Sequence, residues 1–135
     1  MKLYHANRLS HAVKMLHDPE YKAAKTGNLQ AALRLVDWLE IDHAVFRKYE
    51  GFVCPVQKFS GNKIPLALAM RISQYSTLQL ASSVYLLNNR PGYTMIERMY
   101  YDPEYTGFVP GGKFILVDDV FTTGITLRGL KTFIE

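Results

Sequence analysis

Two adjacent acids and a threonine-rich turn stand close together in the stretch Phe114-Ile-Leu-Val-Asp-Asp-Val-Phe-Thr-Thr-Gly-Ile-Thr-Leu-Arg128. Asp118 and Asp119 supply carboxylates, and Thr122, Thr123 and Thr126 supply hydroxyl donors. Gly124 lets the backbone come close to an anion. The free N–H groups at the start of a helix, with the helix dipole behind them, attract phosphate. Two carboxylates beside such a cradle would repel the same phosphate, so they make chemical sense only against another part of the ligand, namely sugar hydroxyls or a divalent cation. A single ligand with a 5-phosphate, vicinal hydroxyls and a magnesium-bound pyrophosphate satisfies all of these groups. The plainer reading is that the acids end a strand and Thr123 caps a helix.

Such a site needs a strand before it and a helix after it. Phe114-Ile115-Leu116-Val117 is a continuous apolar run between Gly111-Gly112 and Asp118-Asp119, which predicts a strand buried on both faces of a parallel sheet. Leu127, Leu130 and Ile134 predict a helix after Gly124. Upstream, Phe52-Val53-Cys54-Pro55-Val56 predicts a strand and the polar residues 57–63 a loop. Leu66, Ala69, Met70 and Ser73 then form a helical face, with Pro65 suited to the first turn. Ser83-Val84-Tyr85-Leu86-Leu87 is a further strand candidate. Residues 88–112 are long and rich in turn formers, with a hairpin expected at 95–101; a loop of this length in a compact domain is often a functional lid.

The first fifty residues read as helical. Leu9, Ala12, Val13 and Leu16 lie on one stripe that Asp18-Pro19 should end. A second helix starts after Gly27-Asn28 and carries Leu29, Ala32, Leu33 and Val36, with Leu35, Trp38 and Leu39 widening its apolar face. The expected division is a helical N-terminal segment over 1–50 and an α/β core over 51–135. Alternating strands and helices imply a parallel sheet with crossover helices, and ligands bind such sheets at the carboxyl ends of the strands.

Composition narrows the choice. The chain has 135 residues, 48% hydrophobic and 21% charged, which suits one folded domain rather than a disordered or collagen-like chain. Sixteen Lys+Arg against twelve Asp+Glu leave a formal charge of +4, which suits an anionic ligand. The basic residues form no dense cluster, so nucleic acid is not the expected partner. The lone cysteine, Cys54, excludes an intrachain disulfide and a Cys-rich zinc site and reads as a core residue. The four histidines, His5, His11, His17 and His43, have no metal-ligand spacing. No apolar run approaches the ~20 residues of a membrane helix, and Met1-Lys2-Leu3-Tyr4-His5 lacks a signal-peptide core. The expectation is a cytoplasmic protein without a membrane partner.

Residues 114–128 resemble the PRPP-binding signature of the type I phosphoribosyltransferases: an apolar strand, two acids, two residues, then Thr-Thr-Gly-x-Thr. That resemblance implies an α/β parallel sheet of the phosphoribosyltransferase kind. It also implies binding of PRPP with Mg²⁺, transfer of the phosphoribosyl group to a nitrogenous acceptor, and release of pyrophosphate. By the same resemblance, Asp118 and Asp119 are the catalytic pair that contacts the ribose 2- and 3-hydroxyls. Val120, Phe121, Thr122, Thr123, Gly124, Ile125 and Thr126 wrap the 5-phosphate. The loop after the first core strand takes the pyrophosphate, with Lys58 and the backbone of Ser60 and Gly61 as contacts. Mg²⁺ is held mainly by the ligand, with no protein metal site. Residues 88–112 occupy the place of the family's mobile loop, where Arg90 and Arg98 would bring positive charge to the pyrophosphate. Gly61-Asn62-Lys63-Ile64-Pro65-Leu66-Ala67 loosely resembles the Gly-x-Asn stretch of competence-associated members. Tyr100, Tyr101 and Tyr105 either pack on a base or staple a hairpin.

The resemblance covers residues 51–135, and this sequence departs from the family in three ways. The last core strands are missing, Phe121 and Ile125 are bulkier than usual, and no acceptor motif is legible. Either the sequence is a fragment, or the N-terminal helices cover the open side, or a second copy completes the sheet as a homodimer. A non-catalytic PRPP or nucleotide sensor on the same fold is the alternative function. Ile-Leu-Val-Asp-Asp also resembles the first strand of a phospho-acceptor receiver domain, but there the motif should open the domain, and here it lies near the end of the sequence.

Overall fold

A computed structural model describes residues 18–39, 41–88, 102–119 and 124–135. At its centre β1 (Phe52–Pro55) lies between two parallel neighbours, β2 (Gln79–Leu80) and β5 (Phe114–Val117). Phe52 is in register with Phe114 and Pro55 with Val117, while Phe52 and Val53 face Gln79 and Leu80. Side chains alternate across a strand, and here each face meets its own apolar cluster. Val53, Ile115 and Val117 pack on the helical side; Cys54 and Leu116 pack on the other. The apolar run of β5 therefore has partners on both faces, as expected. At the sheet edge, however, only Val117 is buried, and residues 114–116 are half-buried.

The helical side is built from α1 (Pro19–Lys25), α2 (Leu29–Trp38) and α3 (Ile64–Gln74), with a 3₁₀ helix at His43–Lys48. Asn28 caps α2 through its side-chain oxygen, which accepts from Ala31 N at 3.0 Å, and Ala31, Ala32, Leu33, Leu35 and Val36 form the buried stripe. Pro65 sits in the first turn of α3, where a missing N–H costs no bond. The Asp18-Pro19 pair, expected to end the stripe before it, opens α1. Asp18 accepts from Glu20 N at 2.9 Å, and Pro19 takes the first helical position. An acid followed by proline is a helix-start signal as well as a helix stop. The stripe Leu9 to Leu16 lies outside the described residues.

A correction concerns residues 83–87, expected as a parallel core strand. On the side away from β5 the parallel neighbour of β1 is β2, and the chain then leaves the ladder. β3 (Val84–Leu86) pairs antiparallel with β4 (Tyr105–Gly107). The buried Gln57 side chain directs this departure. Its Nε2 donates to Ser82 O at 2.8 Å and Val84 O at 3.2 Å, and Gln57 O accepts from Leu86 N at 2.7 Å. A side-chain amide thus replaces ladder bonds where β1 ends. The hairpin expected at 95–101 lies outside the described residues; the ribbon present joins 84–86 to 105–107. α4 (Ile125–Ile134) packs against β5 and β4 and buries Leu127 and Leu130 with Cys54, Val84 and Leu86. Burial pushes the Cys54 thiol up to about 11, in keeping with a core residue. Among the described residues no helix is long and apolar enough to cross a membrane.

Candidate functional site

Parallel pairing of β1 with β5 sets their carboxyl ends side by side, and Val56 N extends the ladder by donating to Val117 O at 2.8 Å. Asp118 and Asp119 leave β5 at this edge, and the loop 56–63 leaves β1 beside them. Asp119 N donates to Asp118 Oδ1 at 2.8 Å, which turns the chain at the pair.

The Asp119 side chain is only 9% exposed. Two donors converge on its Oδ2: Lys25 Nζ at 2.8 Å and Asn62 Nδ2 at 2.9 Å. Asn62 links the acid to a helix, because its Oδ1 accepts from Ile64 N at 3.0 Å at the start of α3. The end of α1 is fixed to the same loop, since Lys63 N donates to Ala24 O at 2.9 Å. Gly27, with φ +120°, passes near Gly61; a Cβ there would lie 3.7 Å from Gly61 O. Burial opposes the charged Asp119 carboxylate. The Lys25 ammonium and the hydrogen bonds outweigh burial and hold the carboxyl below its ordinary range. Burial likewise opposes the Lys25 charge, but Asp119 prevails and raises the ammonium above its usual value. The pair is therefore fully ionised at neutral pH.

The expected site residues are placed as follows. Lys58 is half-buried and Ser60 exposed on the loop. Gly61 is half-buried with φ +93°, a conformation glycine adopts without strain, and a Cβ on it would meet nothing within 4 Å. Gly124 is buried at φ 76° and opens α4, and Ile125 and Thr126 form its first turn. Tyr105 staples the fold: its hydroxyl donates to Thr126 O at 2.9 Å and its ring lies 6.1 Å from Phe133. Val120, Phe121, Thr122, Thr123, Arg90, Arg98, Tyr100 and Tyr101 lie outside the described residues.

Two residues of the site escape sequence reasoning. Lys25 sits in Lys-Ala-Ala-Lys-Thr-Gly, which carries no motif, and 94 residues separate it from Asp119. Asn62 lies within the Gly-x-Asn stretch, but its spacing does not reveal a bond to an acid 57 residues away. Among the described residues no group of three or more His, Cys, Asp or Glu is gathered in the manner of a metal site. His43 rests on the ring of Tyr75 at 4.9 Å.

No family model matches the chain, and no solved structure does so. The chain is 31% identical over 133 residues to Protein TraN of Escherichia coli, an alignment covering 90% of this chain and 30% of TraN. It is 30% identical over 128 residues to an uncharacterized protein of Haemophilus influenzae, covering 86% of this chain and 29% of the relative. Neither name states a chemistry. The chain spans about 30% of the length of these curated relatives, to which it is similar over most of its own length.

Proposed function

We propose that the chain is a type I phosphoribosyltransferase-like domain that binds PRPP with Mg²⁺ at the carboxyl edge of its parallel sheet. In this reading it transfers the phosphoribosyl group to a nitrogenous acceptor and releases pyrophosphate. The observation that carries the proposal is the juxtaposition of Asp118-Asp119 with the loop 56–63, on two neighbouring parallel strands. A glycine in left-handed conformation opening α4 adds a third feature of the same kind.

In this reading Asp118 and Asp119 orient the ribose hydroxyls. Among the described residues the side-chain donors to Asp119, Lys25 and Asn62, both use Oδ2, so a hydroxyl would address Oδ1. The start of α4 receives the 5-phosphate. The backbone of Gly61 and the Lys58 side chain receive the pyrophosphate. Mg²⁺ suits the site as an ion carried on the pyrophosphate, because an ammonium already stands 2.8 Å from Asp119 Oδ2. When bound, the ion neutralises charge on the departing pyrophosphate. The protein's own contribution is positioning and electrostatic complementarity at the anomeric carbon, which need no nucleophilic triad.

The test is pyrophosphate release by the purified chain given PRPP, Mg²⁺ and a panel of purine, pyrimidine and pyridine bases. Magnesium-dependent release with one base supports transfer. PRPP binding without release for any base assigns the non-catalytic sensor instead. Absence of binding contradicts both.

A further inference from the structure

Helix α1 brings to this edge a cation that the signature does not contain. Lys25 is the last residue of α1. Its ammonium stands 2.8 Å from Asp119 Oδ2, and the ring of Tyr21, one turn earlier, lies 5.7 Å away. The helix is held there independently of that charge, by the bond from Lys63 N to Ala24 O and by the approach of Gly27 to Gly61. Lys25 therefore stands where the acid pair meets the loop 57–63.

We infer that Lys25 is a ligand-binding residue of this site and contacts the pyrophosphate of bound PRPP. The inference rests on the function proposed above. An ammonium has three donors, and only one is spent on Asp119. The side chain remains 34% exposed, so an incoming anion can reach it. Before binding, Lys25 offsets the charge of Asp119, which would otherwise repel a polyanion entering the loop. After binding, the same ammonium is shared between the carboxylate and the phosphate oxygens. A lysine suits this exchange better than an arginine, because its point charge swings on a flexible stem while a guanidinium would lock onto the carboxylate through two parallel bonds.

The experiment is calorimetric titration of the full chain with three probes: PRPP with Mg²⁺, pyrophosphate with Mg²⁺, and ribose 5-phosphate. Wild type is compared with Lys25→Met and Lys25→Gln. The glutamine keeps a donor for Asp119 while removing the charge, so it carries the test where the methionine variant does not fold. Loss of one charge-assisted contact predicts about tenfold weaker binding of PRPP and pyrophosphate, with ribose 5-phosphate changed by less than about threefold. Equal weakening of all three probes, or of none, overturns the inference and leaves Lys25 as a brace. Wild type that binds none of the probes overturns the PRPP reading itself, and the inference with it.

Discussion

Asp119 carries charge, structure and the proposed chemistry on one side chain. Its carboxylate ties α1 and the loop before α3 to the end of β5. Asp119→Asn should destabilise the fold at neutral pH by about 1–2 kcal/mol, a value reduced from that of a buried pair because Lys25 is partly solvated. The pH dependence follows from the directions of the two shifts. The folded Asp119 lies below its ordinary value of 3.8, so its contribution is complete above that value and is lost as pH falls through the depressed folded value. Lys25 lies above its ordinary 10.5, so its contribution is complete below 10.5 and is lost as pH rises through the raised folded value. Urea denaturation of both proteins from pH 7 down to about pH 2 should show their stabilities converging in acid. A gap that stays constant would mean that the bridge contributes nothing. Cys54 gives a second prediction at this scale. A fully buried thiol with a pKa of about 11 should resist alkylation in the native chain and react only on unfolding, as mass spectrometry can read.

At the scale of elements, sequence pattern succeeds where burial has a period. The apolar runs of β1 and β5, the stripe of α2 with its Asn28 cap and the Pro65 start of α3 are all legible because each element's own residues specify it. Pairing partners are less legible. Residues 83–87 have strand-forming side chains, but nothing in them says whether they extend the parallel sheet or fold into a ribbon. That choice is made by Gln57, 25 residues before Ser82. Leaving Ser82 O and Val84 O without this donor, as in Gln57→Ala, should cost about 1–3 kcal/mol in chemical denaturation. Gly107 makes the same junction close, because at φ +125° a Cβ would fall 1.7 Å from Ser83 O. Gly107→Ala should therefore destabilise by more than about 2 kcal/mol, and a neutral result would contradict the ribbon geometry. The candidate site was legible as to Asp118, Asp119 and the loop after β1. Lys25 and Asn62 were not, because they meet Asp119 only through tertiary folding.

For the whole molecule, the buried cluster crosses residue 50. Ala24, Ala31, Leu35 and Phe46 share one core with Val53, Ile64, Ala67 and Val117. The helical segment and the sheet should therefore unfold together. Trp38 fluorescence, reporting from the end of α2, and far-ultraviolet circular dichroism should give coincident urea transitions. Separate midpoints would show that the helices are an appendage. The shared core also matters for function, because it is what sets α1, and with it Lys25, against the acid pair. The most direct test of this account is calorimetric titration of PRPP with and without Mg²⁺, on wild type and on the Asp118→Asn/Asp119→Asn variant shown by circular dichroism to be folded. The account predicts magnesium-dependent binding by wild type that the variant loses. No binding by folded wild type, or equal binding by both proteins, would contradict it.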